Sequence, residues 1–394
     1  MRKFSADYIY PISSPPIKNG VVVIDTDGII LDVLPSNASN QSSEVESHNG
    51  IIIPGFINTH CHLELSYLKD KMPRGKGLDE FIKDMEEVRR NFSKDEILES
   101  IIQAENEMIT NGIVAVGDIS NSELSFKQKE QGKLIYHTFI ELLGFHPEKA
   151  WHAFETGKTL RSIVKAHHSS LTPHSPYAAS EKLLALINEE GNETITFHNQ
   201  ESEEENLLFQ NKSGLILNRL EKWGIDSSFF NATHTNSLQY ILPKLNKTKR
   251  ILLVHNTYTS KADIEWLKNY ESKIKHQEFF FCTCPNANLY IENKLPDYNL
   301  FMEENLKITV GTDSLASNDS LSILEELKTI SKQFPKIPFE VLLCWATKNG
   351  AEFLGMQTNL GTIEKGKKPG LNLLNGINLK QINFGDEMRV EKLM

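Results

Sequence analysis

Between about residues 51 and 357, short unbroken apolar runs alternate with stretches whose apolar positions recur at helical spacing. Eight such runs stand at 51–57, 113–116, 134–143, 170–172, 194–197, 251–254, 279–281 and 308–310. Apolar strands without polar alternation mark parallel strands covered on both faces. Eight of them separated by helices predict an α/β fold, a (β/α)8 TIM barrel over 51–357. Helix signals fill the gaps: helical period over 79–108, a Ser180 N-cap opening 180–187, and two helices, 203–223 and 236–245, in the long link before the sixth run.

The two ends differ from the middle. Residues 7–10, 20–25 and 29–34 read as short strands, the last two joined by the Thr26-Asp27-Gly28 turn. Residues 361–367 and 371–374 again show turns and strands without helical period. Residues 1–50 and 358–394 are therefore expected to combine into one small β-sandwich domain, with the polar segment 36–49 as a surface loop.

Composition narrows the class of ligand. The 394 residues are 39% hydrophobic and 24% charged, and 42 basic against 52 acidic side chains give a net charge of −10. Nucleic acid and anionic membrane surfaces both call for clustered Lys and Arg, so neither is expected as a partner. No apolar run approaches the roughly 18 residues of a membrane span, and the opening residues lack a secretory apolar stretch, so a cytoplasmic protein is expected. Cys61, Cys282, Cys284 and Cys344 do not form a disulfide framework and read as reduced buried thiols.

In a barrel of this kind the working side chains stand at the carboxyl ends of strands. The first run leads into Asn58-Thr59-His60-Cys61-His62, the fourth into Pro173-His174, the fifth into His198, the sixth into His255 and the eighth into Gly311-Thr312-Asp313. Strand side chains alternate, so His60 and His62 face the same way and Cys61 the other. Two imidazoles joined by His198 and Asp313 form a shell of three nitrogens and one carboxylate suited to one divalent metal ion, Zn²⁺ or Fe²⁺, with a further position open for water.

Pro54-Gly55-Phe56-Ile57-Asn58-Thr59-His60-Cys61-His62, Thr172-Pro173-His174-Ser175-Pro176-Tyr177, His198-Asn199-Gln200-Glu201, Val254-His255 and Gly311-Thr312-Asp313-Ser314-Leu315-Ala316-Ser317-Asn318 resemble, in this order, the motifs of the amidohydrolase superfamily. The branch they resemble is that of the cytosine deaminase-like and adenosylhomocysteine deaminase-like aminohydrolases. The resemblance implies metal ligation by His60, His62, His198 and Asp313, proton shuttling by Glu201, polarisation of the reacting centre by His255, and substrate contact by His174. It also implies a metal-dependent hydrolase that deaminates a purine, pterin or nucleoside of adenosine or aminofutalosine type, and a homodimer by family habit. The alternatives are hydrolysis of another leaving group, as from an s-triazine, opening of a cyclic amide, or a catalytically silent barrel.

Other residues keep two readings. Glu64, two after His62, either binds the leaving amino group or sugar hydroxyls of a substrate, or forms a rim salt bridge. The basic loop 69–77 either closes over an anionic part of the substrate or is simply solvated. Glu203 to Glu205 read as acids at a helix N-terminus, and Asp118 and Glu141, at the ends of the second and third runs, either order the barrel rim or make a functional contact. No lysine ends the fourth run, where a bridging carbamylated lysine would stand in two-metal relatives; His174 is there instead, so one metal is expected.

Overall fold

The computed structural model describes residues 1–35, 45–165, 168–274 and 276–394; His167 and most of the expected 36–49 loop lie outside them. Eight parallel strands form the centre: β1 (Phe56–Cys61), β2 (Ile113–Ser120), β3 (Ile135–Leu142), β4 (His168–Pro173), β5 (Thr194–Asn199), β6 (Arg250–His255), β7 (Glu278–Thr283) and β8 (Ile308–Val310). β1 to β4 pair in order, as do β5 to β8. The two quartets meet where the His198 amide donates to the His174 carbonyl at 2.9 Å, and where the Asp313 amide donates to the His60 carbonyl at 3.0 Å. A Cys61–Asp313 bridge adds to the second junction, so the ring closes as a TIM barrel.

The first apolar run is two strands rather than one. Ile51–Pro54 pairs antiparallel with Leu371–Asn375 in a terminal sheet, and only Phe56–Cys61 enters the barrel. The break falls at Gly55, where a Cβ would stand 2.3 Å from Val114 and 2.8 Å from the Pro369 carbonyl oxygen. Two sheets drawn from both ends of the chain share a core of Phe4, Ile9, Val22, Ile24, Ile52, Leu371 and Leu373. Glu46–Ser47, read from the sequence as loop, adds a short parallel strand beside Arg2–Ser5.

Inside the barrel, Ile57, Ala115, Phe139, Leu252 and Phe280 form an apolar floor. The helix Lys348–Leu354 inserts Phe353 against it, with ring centroids 5.9 Å from Phe139 and 5.6 Å from Phe280. The helix expected over 203–223 is two, Glu203–Asn211 and Leu215–Lys222. Lys212 and Gly214 turn left-handed between them, at φ 51° and 101°. No helix among the described residues is long and apolar enough to cross a membrane.

Candidate metal centre

β1 delivers the paired histidines through a local irregularity. Its register against β2 shifts between Asn58 and Cys61. The Cys61 thiol joins the outer core with Ile101 and Met108, while the His60 and His62 rings meet inside at 4.9 Å between centroids. The chain then leaves the strand for a 3₁₀ turn, Leu63–Leu68. Asp118 at the end of β2 pins this turn, accepting the Leu63 amide at 2.8 Å while ion-paired to Lys129; both side chains are buried. Asp118 thus holds the His60–His62 segment in shape without entering the cluster.

His60, His62, His198 and Asp313 converge. The Nε2 atoms of His60 and His62 each lie 3.6 Å from Asp313 Oδ1, and His62 Nε2 lies 3.4 Å from His198 Nε2. Ligands held about 2.0–2.1 Å from one tetrahedral zinc stand roughly 3.3 Å apart. The His198 tautomer is set for such a role, since Nδ1–H donates to the His174 carbonyl at 2.8 Å and leaves Nε2 free. Both ring nitrogens of His60 are buried without a hydrogen-bond partner, an arrangement that costs free energy unless a ligand is supplied. Burial pulls the His60 pKa down to about 4 and depresses that of His198, where His174 and His60 add repulsion, so the imidazoles stay neutral as ligation requires. Asp313 is held below the usual carboxylate range: burial opposes its charge, but the His60, His62 and His255 rings outweigh it. Ser317 donates to its other oxygen at 2.5 Å. These residues fit a single divalent ion.

Glu201 and His255 stand beside the cluster, with His255 Nε2 3.5 Å from Glu201 Oε1. Asn288, at the mouth of β7, accepts His255 Nδ1–H at 2.8 Å and leaves Nε2 buried and unpartnered. Burial, with Asp313 adding repulsion, pushes the Glu201 carboxyl up to about 8. Glu205 is no solvated helix-end acid: it is buried and accepts the Gln200 amide at 3.0 Å, fixing the turn that carries Glu201. Gln200, His255, Asn256 and Asp313 all adopt left-handed backbone, at φ 46°, 73°, 57° and 57°. Such conformations cost non-glycine residues about 1–3 kcal/mol each and gather at working sites.

The remaining candidates fall around this centre. His174 Nδ1 lies 2.8 Å from Glu141 Oε1, and its ring lies 4.5 Å from that of His198. Burial disfavours the imidazolium, but the Glu141 charge outweighs it and raises the His174 pKa. Glu64 departs from the premise that placed it beside His62, because β1 ends at Cys61; its carboxylate instead accepts the amides of Asn121 and Ser122 at 2.9 and 3.1 Å. The basic loop is held down, with Arg74 paired to Asp319 and the Met72 carbonyl accepting the Tyr290 hydroxyl. A cleft of about 340 Å³ lined by Leu78, Tyr177, Ser202, Ile216, Tyr258 and Glu292 reaches Ser202, the residue after Glu201, and like the next is lined by none of the clustered histidines. A larger cleft of about 670 Å³ lies toward Asn286 and Asp319 and contains none of the clustered histidines.

The sequence model of the amidohydrolase family matches residues 51–394, from the strand before β1 to the end of the chain. The chain belongs to the amidohydrolase family. This amidohydrolase is 30% identical over 346 residues to an adenosine deaminase of Helicobacter pylori, covering 84% of this chain and 80% of that one. The crystal structure of Helicobacter pylori aminofutalosine deaminase with methylthio-coformycin superposes with a TM-score of 0.79 at 25% identity, over 96% of this chain and 93% of that one. The fold is shared as well with a zinc-bound adenosine deaminase from Xanthomonas campestris, at a TM-score of 0.71 and 18% identity, over 95% and 84% of the two chains.

Proposed function

We propose that this amidohydrolase is a metal-dependent hydrolytic deaminase of a nucleoside bearing a 6-aminopurine-type ring, converting C–NH2 and water to C=O and ammonia. The observation that carries this reading is the convergence of His60, His62, His198 and Asp313, from three separate parts of the chain, beside Glu201 and His255. The substrate class is supported by the activities of the adenosine and aminofutalosine deaminases it resembles. One zinc ion fits the shell best, since three imidazoles and a carboxylate match its preferred donors.

When bound, such an ion polarises a water and brings its pKa toward neutrality. Asp313, with Oδ1 turned to the histidines and Oδ2 held by Ser317, would help hold such an ion and would accept the proton that a water loses on attacking the amine-bearing carbon. Glu201, protonated near neutral pH, gives its proton to the adjacent ring nitrogen. His255 Nε2, oriented through Asn288, polarises the reacting centre. The proton held by Asp313 then passes to the amine, which leaves as ammonia, while the hydroxyl on that carbon returns a proton to Glu201 and closes to the carbonyl. The cleft that reaches Ser202 has the volume of a small-molecule pocket and is the part of the surface next to this segment that could receive the rest of the nucleoside.

The decisive measurement is metal content together with an ammonia-release screen over aminopurine nucleosides and related heterocycles. About one equivalent of zinc and release of ammonia from at least one nucleoside are expected. Protein that retains no metal under metal-replete conditions and releases no ammonia overturns the reading.

A further inference from the structure

Five consecutive strand ends are joined by hydrogen bonds of which metal binding explains only the last, the one that sets the His198 tautomer. After β1, Glu64 accepts the Asn121 amide at 2.9 Å, the Ser122 amide at 3.1 Å and the Ser122 hydroxyl at 2.6 Å. After β2, the Asn121 side-chain amide donates to Glu141 Oε2 at 3.0 Å and to the Glu141 carbonyl at 3.2 Å. At the end of β3, Glu141 Oε1 faces His174 Nδ1 at 2.8 Å. After β4, the His174 carbonyl accepts the amide and Nδ1–H of His198, at 2.9 and 2.8 Å.

Both Glu64 and Glu141 are buried, and a buried carboxylate is tolerated only where its lone pairs are met. Here Asn121 supplies a donor to each, its main-chain amide to Glu64 and its side chain to Glu141. The Glu141 carboxylate is therefore fixed before His174 meets it. The His174 ring, its side chain 23% exposed, reaches solvent at the mouth of the barrel, as does the exposed Asn121, but of the two only His174 lies against the His198 ring. The Nδ1 of His174 is engaged by Glu141, and among the described residues no hydrogen bond is formed by its Nε2.

We propose that Glu141 is a positioning residue, which by taking Nδ1–H of His174 turns the Nε2 edge of that ring toward the mouth, where it contacts a polar atom of the bound nucleoside. Asn121 locks the carboxylate, and Glu64 acts through Asn121 rather than by touching substrate. The proposal rests on the deaminase reading above and adds to it the machinery that holds the substrate. A second cation among Glu141, His174 and His198 is a poorer account of the same three groups, because His198 Nδ1 carries the proton it donates to the His174 carbonyl.

The test is a double-variant cycle in the full-length metalloenzyme, using the nucleoside that releases ammonia most rapidly. Glu141→Ala is expected to raise KM about 10-fold or more while kcat stays within about 3-fold and zinc remains near one equivalent. Asn121→Ala, a milder change, shifts KM in the same direction by less. In a His174→Ala background, adding Glu141→Ala changes KM by less than about 2-fold, since the ring it orients is gone. Fully multiplicative effects, or loss of zinc and kcat at unchanged KM, overturn the proposal in favour of a structural or metal-holding role. A wild-type zinc stoichiometry of two that falls to one in Glu141→Ala overturns it in favour of a second cation. An active wild type with multiplicative variants sinks this proposal alone, whereas a wild type inactive on every nucleoside sinks the deaminase reading and this proposal with it.

Discussion

Phe139 and Glu141 lie two residues apart on the same face of β3, yet they answer to different physics. Phe139 packs against Phe353 on the barrel floor among mostly apolar, close-packed groups, with the buried His137 ring stacked on it at 4.3 Å. Glu141 lies in the carboxyl-end mouth, among buried imidazoles and carboxylates whose pKa values are displaced in both directions. Two nitrogens of His60 and one of His255 are left there without partners, and four residues hold left-handed backbone. The floor contributes the hydrophobic free energy of folding, and the mouth is a costly arrangement that the floor allows to persist. Fold and chemistry are thus separable along one strand, and substitutions at the two ends should move different observables.

Glu201→Gln gives the largest separation. The amide keeps the shape of the side chain but cannot carry the proton that a carboxyl pushed up to about 8 holds near neutrality. Deaminase kcat is expected to fall by about 10²–10⁴-fold, the usual worth of a general acid, with zinc content and Tm unchanged. Ammonia release at the wild-type rate would remove Glu201 from the reaction.

Much of the mouth was legible because its histidines punctuate apolar runs, and the ends of buried parallel strands are where a barrel exposes side chains. The pairing of Glu141 with His174 was not, since it depends on Glu141 standing beside Thr172 in the β3–β4 register, 33 residues from its partner in sequence. Glu205 gives no clear sign in the sequence: it is the third residue of the helix Glu203–Asn211, its partner is the Gln200 amide in the turn before that helix, and its acidic neighbours make it look like a helix-end charge. Asn288 gives no sign in the sequence, because a neutral amide that orients His255 resembles any other asparagine. The floor read well except at Gly55, where one apolar run conceals the passage from the terminal sheet into β1.

Phe353→Ala probes the opposite end. Removing a fully buried ring that touches Phe139 and Phe280 leaves a cavity, at a cost of about 3–5 kcal/mol. A fall of several degrees in Tm, similar at pH 5 and pH 8, is expected, with zinc content and kcat of the folded enzyme within about 2-fold of wild type. Loss of zinc at temperatures where the variant is still folded would show that the two ends are coupled.

The smallest effect expected is also the one that separates the ends by their response to pH. Glu326, on the helix Ile323–Gln333, is fully buried and links the loops after β7 and β8 by accepting the Asn286 amide at 2.9 Å and the Asn318 side chain at 2.7 Å. Asn318 also donates to the Thr312 carbonyl, next to Asp313. Burial raises the Glu326 pKa from 4.5 to about 8 despite these bonds. Between those values the folded protein binds a proton that the unfolded chain has released, so this group's contribution is complete below about pH 4.5 and is lost as pH rises through about 8. In metal-free protein, wild-type Tm should therefore lose ground to that of Glu326→Gln, which cannot ionise, between pH 5 and pH 8, by an amount on the order of 2 °C. Parallel Tm curves for the two proteins across that range would mean that Glu326 is already ionised in the fold, and that the loops bearing Asn286 and Asn318 stabilise its charge more strongly than burial opposes it.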